Sequence, residues 1–298
     1  MSGGAPPFAR LDRFMALSGG PDALWTLFGI PMDFTASFQP GSRFAPPRIR
    51  EASYGLETYS PPLDRDLVGC DVEDLGDLEL PIGNVKASLD HIEEAASALV
   101  TEGRRFIALG GEHLVTLPLI RAVHRRYPDL IVVHWDAHAD LREDYLGEPL
   151  SHAAVIRRVS EVVGSGRVYQ FGIRSATQDE MVYARAHTRL HPEAVLEPLR
   201  EVLDELRGRP VYFTLDVDVI DPAFMPGTGT PEPGGITARE ALDAVRALED
   251  LDLVGADIVE TMPLQDISQR SALLAAKLVR ELVLVTAGRP EGGEGDGG

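Results

Sequence analysis

Three short apolar runs in this chain each end on a cluster of metal-binding residue types, and that juxtaposition limits the fold more than any bulk property. RFIAL (105–109) runs directly into Gly110-Gly111-Glu112-His113, LIVVHW (130–135) into Asp136-Ala137-His138-Ala139-Asp140, and VYFTL (211–215) into Asp216-Val217-Asp218. Short apolar runs bounded by turn residues read as buried strands. The strand candidates are Leu27–Ile30, Leu67–Cys70, Phe106–Leu109, Leu130–His134, Val168–Phe171, Val211–Leu215 and Leu253–Val259. Longer amphipathic runs lie between them: Val85–Thr101, Thr116–Tyr127, Ser151–Val163, Pro192–Leu206, Thr237–Leu248 and Ser268–Val285. Thr237 and Glu240 have the Thr-x-x-Glu spacing of a capping box. Strands alternating with helices predict an α/β fold whose mostly parallel sheet is covered on both faces. Such sheets bind ligands beyond the carboxyl ends of their strands, so the three clusters should meet at one rim.

Side chains at i, i+2 and i+4 of an extended chain point to one side. Asp136, His138 and Asp140 are therefore expected to converge, and Asp216 and Asp218 likewise. With His113 the set holds two imidazoles and four carboxylates. That exceeds what one tetrahedral ion needs, and four carboxylates would balance two divalent cations. Imidazole and carboxylate without thiolate suit manganese, with zinc, iron, nickel and cobalt as alternatives. Paired ions generate a bound hydroxide near neutral pH, the expected nucleophile, and no Ser-His-Asp or Cys-His grouping competes with it. An isolated Asp-x-His, or an Asp-x-Asp after a strand, commonly binds nothing; the joint placement at three strand ends carries the reading.

Composition narrows the partners. Of 298 residues, 44% are hydrophobic and 25% charged, ordinary for a globular chain. The net charge of −19 disfavours a nucleic-acid partner gripped through phosphates and is compatible with a cationic substrate. Cys70 is the single cysteine, so an intrachain disulfide and a cysteine zinc site are both excluded. No targeting segment and no run long enough to span a membrane is visible, so no membrane partner and a cytoplasmic location are expected. The reading is one domain over residues 1–287 and a disordered, glycine-rich tail over 288–298, with disorder expected in the first few residues as well. Trp25, Trp135 and Cys70 read as core, His134 as a packed, hydrogen-bonded histidine, and His91, His124, His187 and His191 as surface residues.

GGEH (110–113), HWDAHADLR (134–142), SH (151–152), TLDVDVIDPAFMPGTGTPEPGG (214–235) and DIVETMP (257–263) resemble the ureohydrolases, the arginase and agmatinase family, and its agmatinases most. The resemblance extends over GIPMDFTASFQPGSRFAPPRIRE (29–51) and so covers nearly the whole chain in order. It implies a three-layer α/β/α fold with a mostly parallel, eight-stranded sheet, two Mn²⁺ ions per subunit, and trimers or hexamers. It implies hydrolysis of a guanidinium group to an amine and urea by a metal-bridging hydroxide, and so polyamine synthesis through putrescine. His113 and Asp140 would bind one ion, His138 and Asp218 the other, and Asp136 and Asp216 would bridge. Glu260 would clamp the guanidinium, since a carboxylate pairs with it bidentately. Asp140 would pass the nucleophile's proton to the leaving amine. His152 matches the histidine beside the scissile group, and Thr230 a threonine lining the guanidinium pocket.

In the family, recognition of an α-carboxylate lies largely in the loop after the third aspartate, here Leu141–Leu150. Glu143, Asp144 and Glu148 stand there against one cation, Arg142. Such a loop should repel a carboxylate and accept an ammonium, which selects agmatine over arginine and 4-guanidinobutyrate. Two other enzyme readings fit less well. Metallophosphoesterases place Asp-x-His first and Gly-Asn-His later, whereas GGEH precedes Asp136 here and no Gly-Asn-His occurs. Relatives of the fold that act on acetylated amines usually use one metal, which leaves His113 and Asp140 unexplained. A metal-binding scaffold without turnover is the non-enzyme alternative, and the intact shuttle and clamp candidates weigh against it.

Overall fold

The computed structural model describes residues 13–287, so the tail predicted to be disordered and the first residues lie outside the described part. In chain order the elements are β1 (Trp25–Gly29), α1 (Ala45–Ser53), β2 (Tyr59–Ser60), β3 (Arg65–Asp66), β4 (Val72–Asp77), α2 (Val85–Thr101), β5 (Arg105–Leu109), α3 (Thr116–Arg126) and β6 (Ile131–Trp135). There follow α4 (Val155–Val163), β7 (Val168–Ile173), α5 (Gln178–His187), β8 (Arg189–Pro192), α6 (Leu196–Leu206), β9 (Pro210–Asp216), α7 (Ala238–Ala247), β10 (Asp252–Val259) and α8 (Arg270–Thr286). Eight strands form one sheet in the order β4-β1-β5-β10-β9-β6-β7-β8, with β2 and β3 a separate hairpin. Every neighbouring pair in the large sheet is parallel.

Alternation within each strand builds two cores. Ile107, Leu109, Ile131, Val133 and Trp135 pack with side chains of α1, α6, α7 and α8 on one face. Phe106, Ala108 and Val132 pack with α2, α3 and α4 on the other. Burial on both faces explains why the central strands read as continuous apolar runs. Trp25, Trp135 and Cys70 are buried, as expected of core residues. Among the histidines expected at the surface, His91 is exposed, whereas His124, His187 and His191 are half-buried; His191 stacks on Phe171 at 4.8 Å.

The strand expected at Leu67–Cys70 is not one. Residues 67–70 are turn and coil, with Gly69 at φ +96°, and the strand runs over Val72–Asp77 instead. Its sequence VEDLGD carries three acidic residues, which an edge position tolerates and which hide the strand from an apolar count. β8 at the opposite edge also escapes the sequence reading, because none of its four residues is buried.

Candidate active site

The four strands carrying the polar clusters, β5, β10, β9 and β6, are consecutive at the centre of the sheet. Their carboxyl ends deliver His113, Glu260, Asp216 and Asp136 to one rim. The Gly110-Gly111 turn is fixed by close packing. A Cβ on Gly111 would lie 1.8 Å from the Met32 carbonyl oxygen, and one on Gly110 would lie 2.4 Å from Val259 Cγ1. Glu112 N donates to Met32 O (2.7 Å) and Glu260 N to Gly111 O (2.8 Å), so the turn is tied on both sides.

The residues converge as expected, for a different local reason. β6 stops at Trp135 and β9 at Asp216, so strand alternation does not extend through either motif. Asp218 sits in a 3-10 turn (Val217–Val219), His138 pairs with Ser175 in an isolated bridge, and Asp140 has a left-handed backbone at φ +52°. Asp136 Oδ1 accepts from His138 N (2.5 Å) and Asp216 Oδ1 from Asp218 N (2.9 Å), which curls each motif back on its own first aspartate.

His113 Nδ1 is buried and lies 3.1 Å from Asp136 Oδ2, 3.3 Å from Asp140 Oδ2 and 3.3 Å from Asp216 Oδ2. None of these contacts is aligned as a hydrogen bond. His138 Nδ1 lies 2.9 Å from Asp218 Oδ2 and 3.5 Å from Asp136 Oδ1. Asp136 thus turns one oxygen toward each histidine. Atoms of Asp136, His138 and Asp218 lie close enough to share one ion, and so do atoms of His113, His134 and Asp136. His134 is better described as a hydrogen-bonding neighbour. Its Nε2 contacts Asp136 Oδ2 at 2.9 Å, and its Nδ1 faces the Gln170 amide nitrogen at 3.2 Å, so neither nitrogen is free.

The electrostatics call for positive charge at this point. Burial opposes a charged His113, yet Asp136, Asp140 and Asp216 outweigh it and hold its pKa well above the ordinary value. Burial, then the neighbouring Asp136, pushes Asp140 up to about 7. Burial with Asp218 and Asp136 pushes Asp216 well above the usual carboxylate range. Four carboxylates this close cannot all ionise beside one another without cations among them. A buried imidazole nitrogen turned onto three carboxylate oxygens therefore fits divalent metal, and the oxygen and nitrogen donors fit manganese among such ions.

A cavity of about 300 Å³ opens over the cluster, lined among others by Ser37, His138, Asp140, His152, Asp216, Thr230 and Glu260. Glu260 Oε1 accepts from His113 N (2.8 Å). Burial, with Glu112 adding to it, pushes the Glu260 pKa up to about 8. Thr230 lines the cavity while its hydroxyl donates to Asp218 Oδ2 (3.2 Å). His152 opens a 3-10 turn ahead of α4; its Nε2 lies 3.0 Å from Ser37 Oγ, and burial lowers its pKa to about 4.

The acidic loop turns different side chains to the cavity from those its sequence suggested. Glu143, Asp144 and Glu148 are exposed and absent from the cavity wall. Asp144 accepts from Gly147 N and Glu148 from Leu150 N. Arg142 and Tyr145 of the loop line the cavity instead, with Ser175, Thr177 and Glu180 from the segment after β7. The sequence reading has Arg142 only as the loop's cation and His134 only as a packed histidine; it misses Tyr145, Ser175, Thr177 and Glu180, and the polar row inside the strands to which His134 belongs. Gln170, His134, Thr214 and Asp257 are register neighbours across β7, β6, β9 and β10, and all are fully buried. The available signal was a single polar residue interrupting each of four apolar runs.

The comparisons with known proteins agree with this geometry. A family model described as the arginase family matches residues 23–285. The agmatinase of Bacillus anthracis is 52% identical over 261 residues, covering 87% of this chain and 90% of that protein. The guanidinobutyrase of Pseudomonas aeruginosa is 36% identical over 284 residues, covering 90% of this chain and 88% of that one. The solved agmatine ureohydrolase of Thermoplasma volcanium superposes with a TM-score of 0.84 at 34% identity, over 94% of this chain and 95% of that one. Fold and site define a hydrolase of carbon–nitrogen bonds in amidines, and the chain belongs to the arginase family. Within that family it is most like the agmatinases.

Proposed function

We propose that this protein hydrolyses agmatine to putrescine and urea, using two Mn²⁺ ions held by His113, Asp136, His138, Asp140, Asp216 and Asp218. The observation that carries the reading is the His113 Nδ1 atom set 3.1–3.3 Å from carboxylate oxygens of Asp136, Asp140 and Asp216, the last two of which line an open cavity. His113 and Asp140 are assigned to one ion, His138 and Asp218 to the other, and Asp136 and Asp216 to both. When bound, such a pair makes water strongly nucleophilic near neutral pH.

The remaining chemistry falls to the protein. Guanidinium is resonance-stabilised and must be held firmly. Glu260 faces it across the cavity, and each carboxylate oxygen retains acceptor capacity beyond the one bond from His113 N. Asp140, beside the site where the nucleophile would form, is the carboxylate assigned to pass its proton to the leaving amine. His152, kept neutral by burial, is assigned to hydrogen-bond beside the scissile group. Thr230 steadies Asp218.

Agmatine is favoured over carboxylated substrates by the 52% identity to an agmatinase against 36% to a guanidinobutyrase. A second reading, 4-guanidinobutyrate, is favoured by Arg142 on the cavity wall. Urea release from agmatine, arginine and 4-guanidinobutyrate, with Mn²⁺ and after chelation, separates the readings. Agmatine should be fastest and chelation should abolish turnover. Preference for guanidinobutyrate selects the second reading, and urea from none of the three sinks both. Asp136→Asn should reduce urea release to background while the circular dichroism of the fold persists.

The proposed assembly is a trimer or hexamer and the proposed compartment the cytoplasm, to be checked by sedimentation and by fractionation. Among the described residues no helix is long and apolar enough to cross a membrane.

A further inference from the structure

Beneath the cluster lies a hydrogen-bonded chain that reaches no substrate. His113 Nε2 is 3.0 Å from Thr214 Oγ1, and Thr214 Oγ1 is 2.6 Å from Asp257 Oδ1. Asp257 Oδ2 accepts from Tyr212 OH (2.7 Å) and from Thr116 Oγ1 (3.0 Å). His113, Thr116, Tyr212, Thr214 and Asp257 are all at most 1% exposed, so water does not compete for these bonds. Asp257 and Thr214 are register partners on β10 and β9, and the sheet itself holds them together.

The proton order along this chain is determined by counting donors. A hydroxyl carries one proton. An ionised Asp257 can only accept, so the Thr214 hydroxyl, 2.6 Å from its Oδ1, points its proton at Asp257. Thr214 can then only accept from His113, which must carry a proton on Nε2. That leaves Nδ1, the atom facing Asp136, Asp140 and Asp216, as the one free to bind a cation. Were Asp257 unable to accept, the threonine proton could turn to Nε2 and favour the tautomer that closes Nδ1. We propose that Asp257 is a positioning residue for metal: acting through Thr214, it fixes the Nε2–H tautomer and ring angle of His113, and so sets the affinity of the ion on the His113 side. This rests on the two-ion reading above. Outer hydrogen bonds of this type change metal affinity by about 10- to 100-fold.

The test measures metal retention, with no need for activity. Full-length parent, Thr214→Val, Thr214→Ser and Tyr212→Phe are equilibrated against graded free Mn²⁺. Bound ion per chain is measured by metal analysis, and the spin-coupled pair by electron paramagnetic resonance. Thr214→Val keeps the shape but not the hydroxyl. It should lose one ion, with the pair signal, at about 10- to 100-fold higher free Mn²⁺ than the parent, while the other ion stays. Thr214→Ser should restore the parent curve. Tyr212→Phe removes an Asp257 bond on the side away from His113 and should lower the melting temperature without moving the Mn²⁺ curve. If the parent holds two ions and Thr214→Val holds both as tightly, this proposal fails alone. It also fails if Tyr212→Phe weakens binding as much as Thr214→Val does, because general packing then explains the loss. A parent that retains no Mn²⁺ overturns the two-ion reading itself, and this proposal with it.

Discussion

Asp140 and Glu260 share a backbone state that few non-glycine residues adopt, with φ of +52° and +62°. Each is held there by bonds from another element. Asp140 O accepts from Ile156 N (3.0 Å) and Arg157 N (3.1 Å) in the first turn of α4, and Glu260 N donates to Gly111 O (2.8 Å). Left-handed turns redirect the chain at the strand ends, so both carboxylates face inward where an extended continuation would carry them past the site. For Glu260 the consequence is measurable. Glu260→Gln preserves shape and an acceptor for His113 N, and removes the carboxylate proposed to pair with guanidinium. Truncating one member of a buried, hydrogen-bonded charge pair costs about 2 kcal/mol or more, so kcat/KM for agmatine should fall at least roughly 30-fold. Mn²⁺ retention should not change. Parent-like agmatine kinetics in this variant would remove Glu260 from the proposed clamp.

At the scale of elements, legibility in the sequence follows burial. The helix expected at Val85–Thr101 has those bounds, because Asn84 caps it and its apolar positions keep one dry face. The central strands, dry on both faces, are equally plain. What escapes is edge or surface structure: β4 with its acidic residues, β8 with none of its residues buried, and α5, where only Glu180 and Ala184 are buried. Yet α5 opens with Thr177 and Glu180 in a complete capping box, the same spacing that marks α7 at Thr237 and Glu240. A short motif is legible only beside apolar periodicity to support it. α1 is obscured by Pro46 and Pro47, which suit a helix's first turn but read as loop. The six candidate ligands are legible as residue types in the sequence, whereas the cavity wall, with Arg142 and Tyr145 of the loop and Glu180 of α5, depends on how loop and helix sit against the site, which no local pattern encodes. Polar anchors between elements are also invisible locally. Glu281 on α8 accepts from Ser60 of β2 (2.9 Å) and Arg246 of α7 (2.7 Å), and also pairs with Arg280. Burial pushes its pKa up, but these hydrogen bonds from Arg246, Arg280 and Ser60 prevail and the net shift is downward. A folded pKa below the unfolded one contributes stability above the unfolded value and loses it as pH falls through the folded value. Glu281→Gln should therefore cost about 3 kcal/mol at pH 7, with the gap to the parent closing in acid below the ordinary glutamate range. Thermal or urea unfolding at several pH values reads this directly, and a gap independent of pH would show that Glu281 acts by shape alone.

At the scale of the whole molecule, an exposed apolar surface stands out among the described residues. Leu264, Ile267 and Leu273 share a surface cavity with Arg48 and Glu51, and Ile267 is 99% exposed. Side chains of this kind clustered on a surface mark association sites. Their place in the chain connects them to the chemistry. Residues 261–269 run on from Glu260 without a break, and a Cβ on Gly41 would lie 3.6 Å from the Met262 side chain. Gly41 N in turn donates to Asp33 Oδ2 (2.8 Å), closing the loop that brings Thr35 and Ser37 to His152. A second copy seated on Ile267 would stiffen the backs of two segments that adjoin the cavity wall at Ser37 and Glu260. If the proposed trimer or hexamer forms through this surface, assembly should affect turnover. Ile267→Asp places a charge in the middle of that surface. It should shift sedimentation from the assembled form toward the single chain and raise KM for agmatine several-fold with Mn²⁺ retention unchanged, because the segments behind this surface adjoin the proposed clamp Glu260 and His152, whereas the candidate ligands are held by contacts with one another. A parent that sediments as a single chain, or a variant that assembles like the parent, would separate this surface from the oligomer and leave its exposed side chains to another partner.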